Sequence, residues 1–413
     1  MRTFSFRNFL NEEALDKALS PNVRSAIIDK GGKIYQIGGV VRDEMLGKVS
    51  KDLDLLVVGI DIKELGKIIE PFGKVNLVGK SFGVLKFKPE GSSEEIDISV
   101  PRIDEKSTGK GHKDFEIKLG KGISLEQDQL RRDFWMNAMS KDIETGEVHD
   151  MGGRGKLDIE NRVVRMINPQ AFQDDPLRML RAVQFAARFD FKIEPKTYKE
   201  IKNNAKLIKT VSAERFHEEF VKMFTKSTKP SYGIKLMIEL GLMKFLFPQV
   251  KKVSGLVDKI PKANFPAFLA VMLKDLGSQA GKAAQKVMRV SNNDAESIDE
   301  IVRVMTNKKI QPSSKNEFAV VKWVENLNPY VIDSIDGYLQ TVKSQTIANL
   351  FRDMKRKGKP TNRKELVVDG RDIIGIGIKG PKVGKVLDWA LEYAIRKGNQ
   401  DKEKLLKAIQ REA

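Results

Sequence analysis

The pattern of apolar and polar positions changes near residue 150. Before that point, short apolar runs alternate with helical periods. Residues 9–30 read as a helix with Leu10, Ala14, Leu15, Ala18 and Leu19 on one side, stopped by Gly31 and Gly32. "KIYQIGG" reads as a strand, "VVRDEMLG" as a short helix closed by Gly47, and "LDLLVVG" as a second strand. "DIKELGKIIEPFG" has a helical period. "KVNLVGKSFGVLKFKP" holds two strands around a Gly-Lys-Ser turn, and "EEIDISVPR" is a further strand. After Asp150, "DMGGRGKLDIENRVVRMI" reads as loop and strand. From Asp174 onward nearly every segment keeps a helical period, with an inter-helix loop expected at 307–317. The pattern therefore predicts an α+β head followed by an elongated all-α remainder.

Composition narrows the class. A chain of 413 residues, 40% hydrophobic, can bury a real core and fits two to four domains. No apolar run approaches the roughly 18 residues of a membrane span, and the N-terminus does not read as a signal peptide. Cysteine is absent, which excludes disulfides and thiolate metal sites and fits a reducing cytoplasm. With only His112, His149 and His217 present, a histidine-built metal site is not expected. The net charge of +18 points to a polyanionic partner. Residues 192–259 hold 15 Lys/Arg against 7 Asp/Glu, and residues 351–413 hold 17 against 9. Both segments read as helical, so the basic groups line extended faces.

Candidate chemistry concentrates between Ile37 and Gly59. Asp52 and Asp54 sit two apart at the mouth of the Leu55–Val58 run, so on a strand they share a face. Two adjacent carboxylates repel unless a cation is bound, and Mg²⁺ suits such a pair. Gly38 and Gly39 let backbone approach a ligand closely, and they lead into a helix whose N-terminus favours phosphate. Arg42 and Asp43 lie in its first turns. Asp97, in "EEIDISV", is a candidate third carboxylate on a neighbouring strand, with an exposed strand acid as the alternative.

Gly-Gly-x-Val-Arg-Asp followed by Lys-Asp-x-Asp resembles the polymerase beta-like nucleotidyltransferase head of the class II CCA-adding tRNA nucleotidyltransferases and bacterial poly(A) polymerases. Five further segments resemble that family in the same order: "LRRDFWMNAM", "DMGGRGKLD", "DDPLRMLRAVQFAARFDF", "SAERFHEEFVKMF" and "GIGIKGPKVGKVLDWALEYA". The resemblance implies a catalytic head over 1–155, a helical neck over 156–250, a body over 251–340 and a tRNA-binding tail over 341–413. It implies Mg²⁺ held by Asp52 and Asp54, and a triphosphate held by Gly38, Gly39, Arg42 and Arg132. Asp133 would meet the ribose 2′-hydroxyl, with Asn137 beside it. Asp175 and Arg178 would choose CTP or ATP without a nucleic-acid template, helped by Arg181. Asp175 and Arg178 are expected on one helix face. No protein partner is implied.

The chain departs from the family pattern in three places. Asp174 stands for a usual Glu, Gln184 for an Arg and Trp135 for a Thr, which bears on fidelity more than on transfer. "VPRIDEKSTGKGHKDFE" resembles the loop that full CCA-adding enzymes use in switching from C to A, with Arg102 and Asp104 as candidate movers. In "FLAVMLKDLG", Lys274 precedes Asp275 where some relatives carry a His-Asp phosphohydrolase site, so no such activity is expected. Lys379, Lys382 and Lys385 flank a Gly-Pro turn and are candidate tRNA contacts. A poly(A) polymerase, a partial A- or CC-adding enzyme, and a catalytically weak RNA-binding protein stay open beside the CCA-adding reading.

Overall fold

The computed structural model describes residues 15–16, 19–48, 53–78, 83–104, 117–306, 316–325, 345–398 and 401–412. They group into two compact units, one of residues 1–212 with 240–242 and the other of 213–239 with 243–413.

The first unit is built on a seven-stranded sheet. Its strands are β1 (Lys33–Ile37), β2 (Asp54–Val58), β3 (Gly73–Val78), β4 (Val84–Pro89), β5 (Ile96–Ser99), β8 (Ser140–Asp142) and β9 (Val148–His149), in the order β3-β4-β5-β2-β1-β8-β9. Within this sheet, among the described residues, only β2 and β5 pair in parallel. Alternation along the strands decides what each face carries. Leu55 and Val57 of β2, Ile96 and Ile98 of β5, and Leu85 and Phe87 of β4 enter one core. Val23 and Ile27 of the Pro21–Ile28 helix and Leu65 and Ile69 of the Ile62–Ile69 helix close it. Asp54 and Asp97 alternate with those core residues and so belong to the opposite face. A two-stranded ladder of β6 (Arg102–Asp104) and β7 (Ile117–Leu119) flanks this sheet in sequence, and residues 105–116 between them lie outside the described residues.

The expected helix over 9–30 is not continuous among the described residues. Ser20 is non-helical and Pro21 opens a new helix at its first position, where its fixed φ and missing N–H cost nothing. Leu15 and Leu19 are buried as expected, whereas Leu10, Ala14 and Ala18 lie outside the described residues. The segment read as loop and strand after Asp150 contains a helix, Arg154–Glu160, before the short strand β10 (Val163–Val164). Asp150 starts that helix by accepting hydrogen bonds from the N–H groups of Gly155 (2.9 Å) and Lys156 (2.8 Å). β10 pairs in parallel with β11 (Lys192–Ile193), which follows the 13-residue Leu177–Phe189 helix.

The second unit is helical throughout its described residues. Phe216, Phe220 and Phe224 are spaced four apart on the Ala213–Lys226 helix; Phe220 and Phe224 meet Phe265 and Phe268 of the Phe265–Leu273 helix in an aromatic core, and Phe216 packs on Phe220. Lys274 and Asp275 lie in the 3₁₀ turn that follows. His217 bonds the Met288 carbonyl at 3.0 Å. A further core gathers Val368, Ile373, Leu391, Ile395, Leu405 and Ile409 from the last three helices and the segment before them. Of the loop expected at 307–317, residues 307–315 lie outside the described residues, and Glu317 already begins a helix. Among the described residues no helix is long and apolar enough to cross a membrane.

Candidate active site

Asp54 opens β2 and stands in register with Asp97 on the parallel strand β5. Asp97 stands in turn opposite Lys86 on β4, whose ammonium lies 2.9 Å from its Oδ1 and 3.5 Å from Glu95. The hydrogen bond and charge of Asp97 raise the Lys86 pKa above its ordinary value. So an acid, an acid and a base cross three strands on one face. Asp52, the other expected ligand, lies outside the described residues. Among the described residues no group of three or more His, Cys, Asp or Glu side chains gathers in a metal-holding cluster. Asp54 and Asp97 are an all-oxygen pair, a donor set that fits a hard divalent ion completing its shell with water and phosphate.

The antiparallel register pairs Gln36 with Leu55, so β1 ends where β2 begins. The Gly38 turn therefore lies at the same end of the sheet as Asp54. Gly38 has φ +67° and starts the Gly39–Met45 helix. A Cβ at Gly38 would lie 2.9 Å from a terminal nitrogen of Arg132, so only glycine lets that guanidinium sit against the turn. Arg132 is held by Asp128 at 3.0 Å and directs a second nitrogen to the Asn137 carbonyl at 3.4 Å, while its Nε is buried without a hydrogen-bond partner. Arg131 shares Asp128 at 2.7 Å. Burial alone would raise the Asp128 carboxyl. The charges of Arg132 and Arg131 outweigh it and hold the group below the usual carboxylate range.

Asp133 is almost fully buried. Its Oδ1 accepts the Phe134 N–H and the Asn137 amide, both at 2.9 Å, and its Oδ2 accepts the Arg181 Nε at 2.7 Å. Burial again pushes its pKa up, but Arg181 and Asn137 prevail and the carboxylate is held ionised, below its ordinary range. A strap of chain keeps this turn in place. Phe134 bridges Met166, and the Trp135 N–H donates to the Arg165 carbonyl at 3.1 Å. Trp135 is buried, with the Arg154 guanidinium 4.8 Å above its ring.

One expectation changes here. Asp175 is not on the helix face of Arg178. Pro176 caps the Leu177–Phe189 helix and disfavours helical geometry in the residue before it, so Asp175 is extended (φ −138°, ψ 95°). Its Oδ1 instead accepts the Leu177 N–H at 3.1 Å. Arg178 and Arg181 do share a face, and Arg178 donates to the Arg131 carbonyl at 2.7 Å. Arg42 is the arginine expected to meet a triphosphate. It is 4% exposed, and its guanidinium is turned inward: Nε donates to Asp43 at 2.8 Å and a terminal nitrogen to the Asn137 Oδ1 at 2.6 Å. Gln184 is buried inside its helix, and Asp174 closes the preceding turn.

Lys379, Lys382 and Lys385 are all exposed around Gly380 (φ +66°) and the start of the Lys382–Lys397 helix, in the second unit. Arg188, which sequence reasoning did not single out, reaches the cluster around Arg42. It donates to Asp43 at 3.3 Å, across 145 residues, and nothing in its local pattern distinguishes it.

A mixed sheet with paired strand-end acids, a glycine turn and a buried arginine–aspartate cluster defines a nucleotidyltransferase head. Residues 34–165 match the poly(A) polymerase head domain, and residues 190–253 match the probable RNA- and SrmB-binding site of polymerase A. The chain belongs to the family of CCA-adding enzymes and poly(A) polymerases, and it is an enzyme of the nucleotidyltransferase class. The multifunctional CCA protein of Neisseria meningitidis serogroup C is 32% identical over 345 residues, covering 77% of this chain and 76% of that protein. The multifunctional CCA protein of Xanthomonas campestris pv. campestris is 27% identical over 418 residues, covering 88% and 98%. The structure of a Thermotoga maritima CCA-adding enzyme complexed with tRNA shares the fold, with a TM-score of 0.71 at 22% identity over 97% of this chain and 98% of that one. Nucleotidyltransferases of this family typically use a divalent metal.

Proposed function

We propose that this chain adds C, C and A to the 3′ end of tRNA from CTP and ATP, releasing diphosphate, with protein side chains in place of a nucleic-acid template. The observation that carries the reading is the meeting of three distant motifs. The Gly38 turn, the Arg132–Asn137 segment and the Leu177–Phe189 helix share one hydrogen-bonded cluster at the sheet end that bears Asp54. The substrates are suggested by solved CCA-adding enzymes of the same fold in complex with tRNA, ATP and CTP.

In this reading Gly38, Gly39 and Arg132 hold the triphosphate. Asp133, fixed by Asn137 and Arg181, meets the ribose. Asp175 and Arg178 meet the edge of the base. Asp54 with Asp97, joined by Asp52, would hold Mg²⁺, which when bound neutralises phosphate charge and favours the ionised 3′-hydroxyl. The protein's own part is positioning: it aligns the attacking hydroxyl with the α-phosphate and keeps the donors rigid. The basic helical faces, with Lys379, Lys382 and Lys385, contact the tRNA backbone. We place the enzyme in the cytoplasm with its substrate.

The test is to incubate the protein with Mg²⁺ and tRNA lacking its 3′ end, with CTP, ATP or both, and to size the products. Three added nucleotides with both substrates is the expected result. A long A tail, one or two additions, or none contradicts it and points to a poly(A) polymerase, a partial enzyme or an RNA-binding protein respectively.

A further inference from the structure

The open face of the seven-stranded sheet turns basic beyond Asp97. Asp54, Asp97, Lys86 and Asn76 stand in register across β2, β5, β4 and β3. Two residues along, Lys88 of β4 stands opposite Lys74 of β3. Val75, Leu85 and Phe87 alternate with these residues and turn to the core, so the three lysines share the open face with the acids. Lys86 is taken by Asp97 and Glu95. Lys74 and Lys88 are exposed, and among the described residues neither has an ion-pair partner. Like charges directly across a strand pair repel and cost stability. An anion lying along this edge would remove that cost.

The proposed chemistry sets the side from which the attacking strand arrives. The diphosphate leaves toward the Gly38 turn and Arg132, on the β1 side of β2. In phosphoryl transfer the attacking and leaving oxygens lie roughly in line. The 3′-hydroxyl therefore approaches from the other side of β2, over β5, with β4 and β3 beyond it. At ~4.8 Å per strand, β4 and β3 lie roughly 10 and 14 Å from β2, within reach of the last few nucleotides of a strand ending at Asp54. Lys88 and Lys74 also lie toward the end of the sheet where β2 begins, the end that carries the Gly38 turn. They line a depression of about 430 Å³ together with Glu70, Glu90, Gly91 and Ser92. A small free anion there meets carboxylates as well as lysines. An RNA strand satisfies both, with phosphates on the lysines and ribose 2′-hydroxyls donating to the acids.

We infer that the open face of the β3–β4 hairpin holds the 3′-terminal strand of the RNA acceptor, with Lys74 and Lys88 on its phosphates. The inference deepens the proposed function and rests on it for the direction of attack. The experiment compares the wild type with a variant carrying both Lys74→Ala and Lys88→Ala, with thermal unfolding recorded for each. The substrate is tRNA ending in CC, supplied with ATP and Mg²⁺, in two forms. One has natural phosphates, and the other has neutral methylphosphonates at its last internucleotide linkages. KM and kcat are measured for tRNA and for ATP, and tRNA affinity by filter binding.

The expected result is a loss of tenfold or more in kcat/KM for natural tRNA in the double variant, with the KM for ATP within a factor of two. On the methylphosphonate substrate the two proteins should agree within about twofold, because the charge that the lysines meet is gone. A loss of equal size on both substrates, no loss on either, or a loss carried by the KM for ATP overturns the inference. A wild type that adds no A to this tRNA contradicts the proposed function instead. The hairpin is then judged by the same comparison of the two substrates in filter binding, where equal affinities of the two proteins for natural tRNA overturn it.

Discussion

Gly38 shows how one backbone angle can set a site. Its φ of +67° is open to glycine, and a side chain there would also meet the Arg132 guanidinium at 2.9 Å. Gly38→Ala must therefore strain the turn, by about 1–2 kcal/mol, and displace Arg132. The expected outcome is a fall of tenfold or more in kcat/KM for CTP with a modest loss in urea-unfolding stability. Wild-type kinetics would show that Arg132 can retreat without consequence. This glycine was legible in the sequence because its demand is local. Arg42 was legible as a member of the motif but not in its orientation, since its partner Asn137 is 95 residues away. Asp175 was placed on a helix face by its spacing from Arg178, when the adjacent Pro176 already argued for an extended residue.

Among elements, the Arg154–Glu160 helix was missed because Gly152, Gly153 and Gly155 read as breakers. The first two take left-handed angles (φ +62° and +66°) that turn the chain into the helix, and Gly155 permits close packing: a Cβ there would lie 2.7 Å from the Trp135 carbonyl. The helix buries Asp158 almost completely. Arg165 donates to its Oδ1 at 3.0 Å, but Oδ2 has no hydrogen-bond partner. Burial pushes the carboxyl up to about 6, against the pull of Arg165 and with help from Glu194 and Asp150. The raised value means that the folded state holds this proton more tightly than the unfolded chain. Its stabilising effect is full below the unfolded value and is lost as pH rises through about 6. Between pH 5 and 7.5 the loss amounts to about one pKa unit, or ~1.4 kcal/mol. Urea unfolding at the two pH values should show Asp158→Asn gaining that much relative to the wild type. Parallel pH dependence of the two proteins would mean that Asp158 is not titrating in this window.

At the scale of the whole molecule, the head was readable because its strands and turns carry their own signals: apolar alternation, glycines and paired acids. The helical unit could be read only as a class. Its aromatic core joins the Ala213–Lys226 and Phe265–Leu273 helices, and a shared period does not say which helices meet. Charge is the exception. The excess of Lys/Arg in 192–259 and 351–413 is visible without a fold, and the lysines of the Gly-Pro turn are exposed. If Lys379, Lys382 and Lys385 neutralise tRNA phosphates, replacing all three by Ala should reduce the slope of log K against log salt by about 2–3. Turnover at saturating tRNA should be retained. An unchanged slope would place the RNA contacts on other basic faces.

The proposed function places the reaction at the end of β2, so its most direct test is Asp54→Asn. It keeps the shape of the side chain and removes the charge that stands in register with Asp97. Nucleotide addition should be measured under single-turnover conditions with tRNA lacking its 3′ end, beside tRNA affinity by filter binding. The expected result is a loss of addition of at least a thousandfold with affinity within a factor of two of the wild type. Addition within tenfold of the wild type would contradict the assignment of catalysis to this site.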